Sequence, residues 1–444
     1  MGTVVIVGAG LASSLAASRL IPHHRVVVIE QTARNRPLAV SDSGRSAMLD
    51  PHIGSGPGGT TYLWHNGLIQ LEADDYASWP LSAAELKPYL PAAHEALSGA
   101  SMERVHEIAT ILRTEFAREG VEGALLGEPL FYPSQRRNVW HSGALTDKGV
   151  STVVGCVERL EIDDSGRVRA AVLAGQPDSI TGDIFILAAG GLGSPIILQA
   201  SGGSFRNAGR YYFDHPGTFV CEIVSNANLQ PLWNRFDGLL KGSVRLPLVI
   251  TIAQQKFAFY LRPAGLKREV KSMISDLRNS PFDPRNYFRM LMHTNDIIEV
   301  LSLRAGINIP IRRFWLYMTA EQLPQDDISI CKKSGKIIRN WQLDHEFFVA
   351  ADDAIEAALS KLAPVIERAL VLEGWPRKIQ TGAHHSGTCR MALTAETGIC
   401  DKDCRVFGIS NLFVCDGSVL PSAGYANTGL TIGALALRLG EMIH

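Results

Sequence analysis

The sequence predicts an α/β protein in which a nucleotide-binding domain built on a parallel sheet is interrupted by an α+β domain built on an antiparallel sheet. Residues 3–29 read as an apolar strand, a glycine turn, an alanine-rich helix and a second apolar strand. A further strand runs into glycines and a helix within residues 183–201. Between residues 218 and 374 apolar and polar residues alternate, which is typical of antiparallel strands with one covered face.

Composition places the chain among ordinary packed proteins. Its 444 residues are 46% hydrophobic and carry a formal net charge of −1, so no overall field favours nucleic acid. No apolar run is long enough to cross a membrane, and the N-terminus lacks the pattern of a signal peptide, so we expect a cytoplasmic protein. The seven cysteines are an odd number and widely spread, and Cys400 and Cys404 have no matching second pair. We therefore expect reduced thiols and no metal site.

The first glycine turn is the strongest local signal. Gly8 permits a sharp turn, and Gly10 lets the backbone approach a pyrophosphate held at the N-terminus of the following helix. Glu30 ends the second strand, where a carboxylate can accept hydrogen bonds from an adenosine ribose. Ser13 takes the place of the usual third glycine and is small enough for close packing.

Residues 50–66 are too rich in glycine and proline for a regular element, so we predict a loop. Gly56, Gly58 and Gly59 would let its backbone lie flat against a planar ring or a diphosphate. His65 lies at the end of this loop. It is either a hydrogen-bonded loop residue or a residue of the reacting centre.

Local patterns predict several further elements. These are a capping box at Ser82 and Glu85, a helix over 102–118, a hairpin over 150–172 that turns at 163–166, a hairpin over 329–343, and a long amphipathic helix over 346–373.

The inserted domain contains a basic stretch. Residues 265–314 have a helical pattern, and residues 241–313 contain thirteen Lys and Arg against five Asp and Glu. Such an excess is typical of a solvated helix face, and it also fits a surface that contacts a membrane or an anionic substrate. Both interpretations remain open.

Four separated stretches together resemble the glucose-methanol-choline (GMC) family of flavin-dependent oxidoreductases. They are VVIVGAGLASSLAASRL; GPGGTTYLWHN with SWPLSAAELKPYL; ILAAGGLGSPIILQASGG with GRYYFDHPG; and HHSGTCRM with NLFVCDGSVLPSAGYANTGLTIGALALRLGE. They span nearly the whole chain in the family's order. Gly191 departs from the alanine-like residue usual in the third stretch, a change that we expect to be harmless.

The resemblance implies a Rossmann-like FAD-binding domain from residues 1–215 and 376–444, with a helical excursion at 74–149. Residues 216–375 would form the substrate domain. Sugar oxidases of the family often tether FAD through a histidine at the position of Leu63, so non-covalent FAD is expected here unless His65 replaces it. The expected cofactor contacts are Gly8, Gly10, Leu11, Ala12, Glu30, Gly58, Gly59, Thr60, His65, Asn66, Val157, Ala189, Gly190, Asp416, Gly417, Asn427 and Thr428.

The resemblance also implies a catalytic pair. Gly387 and Thr388 set the motif register that identifies His384, and the final segment identifies Asn427. His385 is the adjacent competitor, but neighbouring extended residues point in opposite directions, so only one of the two should face the flavin. A neutral histidine can take the hydroxyl proton as hydride leaves the carbinol carbon, and an asparagine amide can stabilise the developing oxyanion.

The expected activity is therefore FAD-dependent oxidation of an alcohol. The loop after residue 58 resembles the sugar-oxidising branch, and the short, basic substrate domain suggests a large or anionic sugar conjugate. Two other possibilities are a hydroxynitrile lyase with structural flavin and a non-catalytic flavin-binding protein. The electron acceptor is unknown, and membrane contact would use the 265–314 region.

Overall fold

The structure is a computed structural model that describes residues 2–37, 41–42, 53–135, 139–142, 149–203, 205–226, 229, 235–263, 276, 280, 283–292 and 312–443. Its helices are α1 (Leu11–Leu20), α2 (Ala83–Leu86), α3 (Leu90–Ser98), α4 (Met102–Arg118), α5 (Val139–Ser142), α6 (Gly190–Ala200), α7 (Pro284–Met292), α8 (His345–Leu362) and α9 (Gly429–Met442). Its strands are β1 (Thr3–Val7), β2 (Arg25–Glu30), β3 (Arg36–Pro37), β4 (Ser41–Asp42), β5 (Gly54–Ser55), β6 (Leu130–Pro133), β7 (Ser151–Val154), β8 (Val157–Ile162), β9 (Val168–Leu173), β10 (Ser179–Thr181), β11 (Ile184–Leu187), β12 (Gly217–Ser225), β13 (Arg235–Asp237), β14 (Gly242–Arg245), β15 (Leu248–Ile252), β16 (Gln255–Pro263), β17 (Arg313–Ala320), β18 (Ser329–Lys333), β19 (Lys336–Asn340), β20 (Ile366–Val371) and β21 (Leu412–Val414).

A five-stranded parallel sheet forms the centre of the first domain, in the order β21-β11-β1-β2-β7. Its inner strands are almost wholly apolar because both faces of a parallel sheet are covered. Strand β21 comes from the C-terminal part of the chain and pairs with β11. The carboxyl ends of β1, β11 and β21 therefore meet at one edge of the sheet, where ligands bind in open α/β folds.

The second domain is built on a five-stranded antiparallel sheet, in the order β15-β16-β17-β12-β20. Alternation along β16 separates its two faces. Phe257 and Phe259 pack in the core beneath α8, whereas Ala258 and Tyr260 pack against the first domain. The predicted fold class, an α/β nucleotide-binding domain with an inserted antiparallel-sheet domain, is confirmed.

The long helix predicted over 346–373 is wrong in its second half. Helix α8 ends at Leu362, and residues 366–371 form β20, which pairs antiparallel with β12. Pro364 lies between them, where its ring and missing N–H disfavour a continuing helix. Residues 366–371 instead form hydrogen bonds with the edge of β12. A helical pattern in the sequence cannot reveal this pairing.

The other local predictions are largely confirmed. Ser82 and Glu85 form the capping box, with the Ser82 N–H donating to Glu85 Oε2 at 2.9 Å. Hairpins β8–β9 and β18–β19 form, although β7, within the predicted 150–172 hairpin, joins the parallel sheet instead.

Most of the basic 265–314 stretch lies outside the described residues. Within it, α7 (Pro284–Met292) is helical as its pattern predicts, whereas residues 313–314 begin β17. Its contact with a membrane or an anionic substrate stays a prediction. Across the part of the chain that the structure describes, no helix combines the length and the apolar character needed to cross a bilayer.

A buried ion cluster joins the two domains. Lys256 of β16 donates through Nζ to Glu72, Asp74 and Asp75 at 2.6–2.7 Å, and its side chain is 8% exposed. Burial lowers the pKa of Lys256, but these hydrogen bonds raise it above its ordinary value. Glu321 accepts the Lys256 backbone N–H at 3.1 Å, and burial raises the pKa of its carboxyl to about 7.

This junction predicts a pH dependence of stability. The pKa of Glu321 rises from 4.5 when unfolded to about 7 when folded, so its ionisation destabilises the folded protein as pH rises through that window. We expect the free energy of unfolding of Glu321→Gln, relative to wild type, to increase by about 2–3 kcal/mol between pH 4.5 and 7. Chemical denaturation at a series of pH values measures this difference. The exposed control Glu119→Gln should show no such change, and equal slopes for both variants would contradict the assignment.

Candidate active site

Two glycine-rich loops meet at the sheet edge. Gly8 has φ +101°, and a Cβ there would lie 2.5 Å from the Ala188 carbonyl oxygen, so only glycine fits the turn after β1. The second loop packs directly on this turn, because the Gly58 N–H donates to the Ala9 carbonyl at 2.7 Å. A Cβ on Gly59 would lie 3.1 Å from the Gly10 Cα. The residues predicted to cradle a diphosphate thus form one continuous backbone surface.

Glu30 holds the two loops together. Its carboxylate accepts the Ala9 N–H at 2.9 Å, the Ser55 hydroxyl at 3.2 Å and the Gly56 N–H at 3.0 Å. The residue is buried. Its predicted contact with a ribose stays a prediction, but the structure gives it a second role, because loss of the carboxylate would leave the two backbone N–H groups without this acceptor.

Two glycines at this sheet edge border open space. A Cβ at Gly190 would meet nothing within 4 Å, and one at Gly10 would meet only the Ala188 oxygen at 4.0 Å. Both glycines lie at helix N-termini, of α1 and α6, where unpaired N–H groups favour phosphate. The residues present therefore fit FAD.

The other predicted cofactor residues lie at turns and at the ends of elements, and their contacts with a cofactor stay predictions. Asp416 accepts the Gly190 N–H at 2.9 Å and the Ser194 hydroxyl at 2.6 Å, and burial raises the pKa of its carboxyl. It therefore joins the start of α6 to the turn after β21. Leu11 and Ala12 begin α1, Thr60 lies in the turn Gly59–Tyr62, Val157 opens β8, Ala189 precedes α6, Gly417 follows Asp416, and Thr428 precedes α9.

His65 and Asn66 differ in their surroundings. His65 is exposed at the end of the second loop. Asn66 is buried, and its Nδ2 donates to the Leu97 carbonyl at 3.2 Å, at the end of α3. The Asn66 amide therefore caps a helix end, and its predicted contact with the cofactor stays a prediction.

Asn427 lies before α9 with its amide held in place. Its Nδ2 donates to the Gly67 carbonyl at 3.0 Å, and a Cβ on Gly67 would lie 2.7 Å from that nitrogen. An amide nitrogen carries two N–H donors. One is used by Gly67, so the other can point at a ligand oxygen without moving the side chain.

His384 is hydrogen-bonded to a second histidine that sequence reasoning did not single out. Its Nδ1 lies 2.8 Å from Nδ1 of His215, and Nε2 of His215 lies 2.9 Å from the Gly424 carbonyl. A carbonyl only accepts, so His215 carries its proton on Nε2 and offers a lone pair on Nδ1. His215 is buried, and burial lowers its pKa, so it is neutral. His384 must then donate from Nδ1, so in this tautomer its Nε2 carries the lone pair that can accept a proton.

A buried carboxylate positions both histidines. Asp214 Oδ1 accepts the backbone N–H groups of His215 at 2.7 Å and His384 at 2.9 Å, and Oδ2 accepts the Thr381 hydroxyl. Burial raises the pKa of the Asp214 carboxyl, but the neighbouring His385 and His384, together with hydrogen bonds from the Thr381 hydroxyl and the His384 N–H, outweigh this and lower it to about 2. Asp214 is thus ionised at every pH at which the protein would work.

His385 makes a separate set of contacts. Its Nδ1 lies 2.8 Å from the Tyr212 hydroxyl, and its ring stacks on that of Tyr212 at 5.9 Å between centroids. The two neighbouring histidines therefore have different partners. The assignment of His384 rather than His385 to the reacting centre stays a prediction, and the tautomer of His384 supports it.

Glycine at position 191, expected to be a harmless departure, is required by the local packing. A Cβ on Gly191 would lie 2.0 Å from the His385 carbonyl oxygen. Here the histidine segment packs directly on the first turn of α6, so the absence of a side chain is required. The reason was invisible in the sequence because His385 is distant along the chain.

Two groups of side chains offer ligand atoms close enough for a metal ion within the described residues. In one, Glu72, Asp74 and Asp75 already surround the ammonium of Lys256. In the other, Asp214, His215 and His384 are linked by hydrogen bonds. In both groups the candidate ligand atoms are thus already hydrogen-bonded within the protein.

Sequence reasoning missed Asp214 and His215. A signal existed, because the stretch GRYYFDHPG contains an aspartate and a histidine directly before the proline and glycine that open β12. Their function depends on proximity to residues 381–384, which the sequence alone does not show.

Comparison with known proteins identifies relatives that align with only part of this chain. Residues 339–436 match the family GMC oxidoreductase. A long-chain-alcohol oxidase from Arabidopsis thaliana is 44% identical over 61 residues, 14% of this chain and 8% of its own length. A C-glycoside 3-oxidase from Arthrobacter globiformis is 35% identical over 103 residues, 22% of this chain and 19% of its own length. The aligned segments thus span less than a fifth of each relative.

The whole chain has the fold of a solved flavoenzyme. The crystal structure of pyridoxine 4-oxidase from Mesorbium loti aligns with a TM-score of 0.64 at 16% identity, covering 100% of this chain and 99% of the other. Together these comparisons confirm the family resemblance expected from the sequence motifs.

The contact at Gly191 yields a prediction for stability. Gly191→Ala places a methyl group against the His385 carbonyl, and overpacking of this kind costs about 1–3 kcal/mol. Urea denaturation should show this loss. Gly238→Ala is the matched control, because a Cβ at that exposed position meets nothing within 4 Å. An equal, small effect at both glycines would show that residues 384–386 do not pack on α6 as described.

Proposed function

We propose that this protein, whose residues 339–436 match the GMC oxidoreductase family, oxidises an alcohol to a carbonyl compound with non-covalent FAD. When bound, FAD supplies the hydride acceptor. The glycine loops around Gly8 and Gly58 and the N-termini of α1 and α6 would hold its phosphates and rings. The exposed His65 is not needed for this arrangement.

The observation that carries the proposal is the tautomer of His384. The Gly424 carbonyl orients His215, and His215 in turn orients His384, so Nε2 of His384 presents a lone pair. A neutral imidazole is a suitable acceptor for a hydroxyl proton near neutral pH. His384 therefore takes the proton of the substrate hydroxyl, and its Nδ1–H bond to His215 stabilises the positive charge that results.

Asn427 positions the substrate oxygen. The hydrogen bond to Gly67 fixes the amide, and its second N–H can donate to the oxygen on which negative charge develops. Because the donor is already oriented, little reorganisation is needed during the reaction. His384 thus accepts the proton, and Asn427 stabilises the oxyanion.

The proposed substrate is a hydroxyl of a sugar or sugar conjugate. The similarity of 103 residues to a C-glycoside 3-oxidase supports a sugar, and the second glycine loop resembles the sugar-oxidising branch. The sequence favours an anionic conjugate because of its basic residues 265–314, and most of these lie outside the described residues. The acceptor that reoxidises the flavin is not identified by the residues described.

The decisive experiment is anaerobic mixing of the purified, flavin-loaded protein with a panel of sugars and alcohols. Loss of flavin absorbance supports hydride transfer, whereas turnover without bleaching would indicate a lyase with structural flavin. Purification without any flavin would contradict the proposal.

Substitution of the proposed base gives a second prediction. His384→Ala should lower the rate of flavin reduction by about 10²–10⁴-fold, because general base catalysis contributes that much. The exposed His345→Ala, at the start of α8, serves as the control and should react as wild type does. A His384→Ala protein that reduces its flavin at the wild-type rate would contradict the assignment of His384 as the base.

His215 is predicted to act through His384 alone. His215→Phe removes the acceptor that holds the Nδ1 proton, so flavin reduction should slow by about 10–100-fold, as is usual for an orienting partner. Loss of this bond also destabilises protonated His384, so the acidic limb of the rate profile should move to lower pH. His215→Gln retains an acceptor and should recover part of the rate. A slower enzyme with an unmoved pH profile and no rescue by Gln would indicate a purely structural role.

A further inference from the structure

Three tyrosines lie at the junction between the two domains. Tyr260 and Tyr317 are directly opposite each other on β16 and β17 of the five-stranded antiparallel sheet. Tyr132 lies on β6, in the separate three-stranded sheet β13-β14-β6. All three pack against the hydrophobic core of the first domain. They therefore border the same junction from two different sheets.

Tyr132 adjoins the proposed oxyanion donor. A Cβ on Gly67 would lie 2.9 Å from Tyr132 Cε1 and 2.7 Å from Asn427 Nδ2, so the ring edge and the amide flank one point beside Gly67. The Tyr132 hydroxyl is bonded to the ring carbon next to Cε1. A substrate oxygen held by the Asn427 amide would therefore lie beside this ring.

The sheet face that carries Tyr260 packs on the loop before α9. Ala258 shares this face of β16 and is the ladder partner of Val249. Val249 and the Tyr425 hydroxyl adjoin each other beside Gly127, where a single added Cβ would meet both. Because the same loop continues into the proposed oxyanion donor, the second ring lies on the same side of the junction as the first.

Tyr317 extends this surface toward the histidines. A Cβ on Gly217 would lie 2.5 Å from the Tyr317 hydroxyl, and Gly217 follows His215 by two residues. The Gly217 N–H donates to the Gln380 carbonyl at 2.9 Å, on the segment that leads to His384. The three rings thus lie along the junction between the segments that carry the proposed oxyanion donor and the proposed base.

The hydroxyls of these tyrosines have no role in the packing. Among the described residues, no hydrogen bond involves the hydroxyl of Tyr132, Tyr260 or Tyr317. Tyr260 is only 7% exposed, and phenylalanine would fill the same space without the cost of taking a hydroxyl out of water. Burial raises the pKa of Tyr260 and of Tyr317, so both phenols keep their protons near neutral pH. Each can donate one hydrogen bond and accept others.

We propose that the hydroxyls of Tyr132, Tyr260 and Tyr317 bind the non-reacting hydroxyls of a polyhydroxy substrate, such as a sugar ring, whose reacting hydroxyl reaches His384 and Asn427. This inference rests on the proposed function and names the groups that separate a sugar from a simple alcohol. A phenol and a sugar hydroxyl each donate and accept, so the two match. A site built in this way discriminates against an analogue without the extra hydroxyls, because its own polar groups are then left unpaired.

A kinetic test compares a sugar with an alcohol that has one hydroxyl. Anaerobic flavin reduction is measured with the most reactive sugar of the panel and with cyclohexanol, which has a six-membered ring. Tyr132→Phe, Tyr260→Phe and Tyr317→Phe should each lower the second-order rate constant for the sugar by about 2–10-fold, as expected for one lost hydrogen bond between neutral groups. The rate constant for cyclohexanol should not change. Tyr89→Phe, in the turn before α3, is the matched control and should leave both rate constants unchanged.

Monodeoxy analogues of the same sugar identify the individual contacts. An analogue that lacks the hydroxyl bound by one tyrosine should react equally fast with the wild type and with the phenylalanine variant at that position. It should still be slowed by the other two substitutions, because the contacts are separate. A variant that slows the sugar and every analogue by the same factor would indicate a structural role for that tyrosine.

A binding test separates this inference from the proposed function. Each sugar of the panel is added to the flavin-loaded protein, and a sugar that binds should raise the Tm of the wild type and of Tyr89→Phe more than that of the three variants. Equal losses with sugar and cyclohexanol, no loss in any variant, or faster reduction by cyclohexanol than by any sugar would overturn the inference while hydride transfer stands. Protection by a sugar that depends on the three tyrosines, with no flavin reduction by any alcohol, would contradict the proposed function and leave the binding site.

Discussion

The arrangement of the site depends on one buried charge, the carboxylate of Asp214. A carboxylate removed from water is stable only when its oxygens accept enough hydrogen bonds. Asp214 meets this requirement with the backbone N–H groups of His215 and His384 and the hydroxyl of Thr381. These donors come from two parts of the chain, before β12 and after β20. The hydrogen bonds to this carboxylate therefore hold the segment after β20 against the start of the inserted domain. They also set the distance between His215 and His384.

The same loop that orients the histidines also joins the domains. The Gly424 carbonyl accepts from His215, while the neighbouring Tyr425 hydroxyl donates to Glu72 at 2.8 Å. Glu72 belongs to the ion cluster around Lys256, on the antiparallel sheet. The packing of the two domains and the orientation of the proposed base are thus coupled through one short segment.

Sequence patterns correctly predicted those elements that depend on interactions between neighbouring residues. The glycine turn at Gly8, the capping box at Ser82 and the helix over 102–118 depend on neighbouring residues, and the structure has all three. The second half of the predicted helix over 346–373 failed because residues 366–371 pair with β12, which is remote in sequence. A helical period cannot reveal a free strand edge elsewhere in the fold. The need for glycine at position 191 was hidden for the same reason, since the atom that excludes a side chain belongs to His385.

The sequence by itself determined the fold class, the order of its motifs and the residue types with the right chemistry, including His384 and Asn427. These follow from periodicity, turn chemistry and motif register, which act over a few residues. Tertiary structure alone decided that His215 sets the tautomer of His384 and that Asp214 holds both. Hydrogen bonds and charges act through distance in space, and only the folded chain brings these residues within a few ångströms of each other.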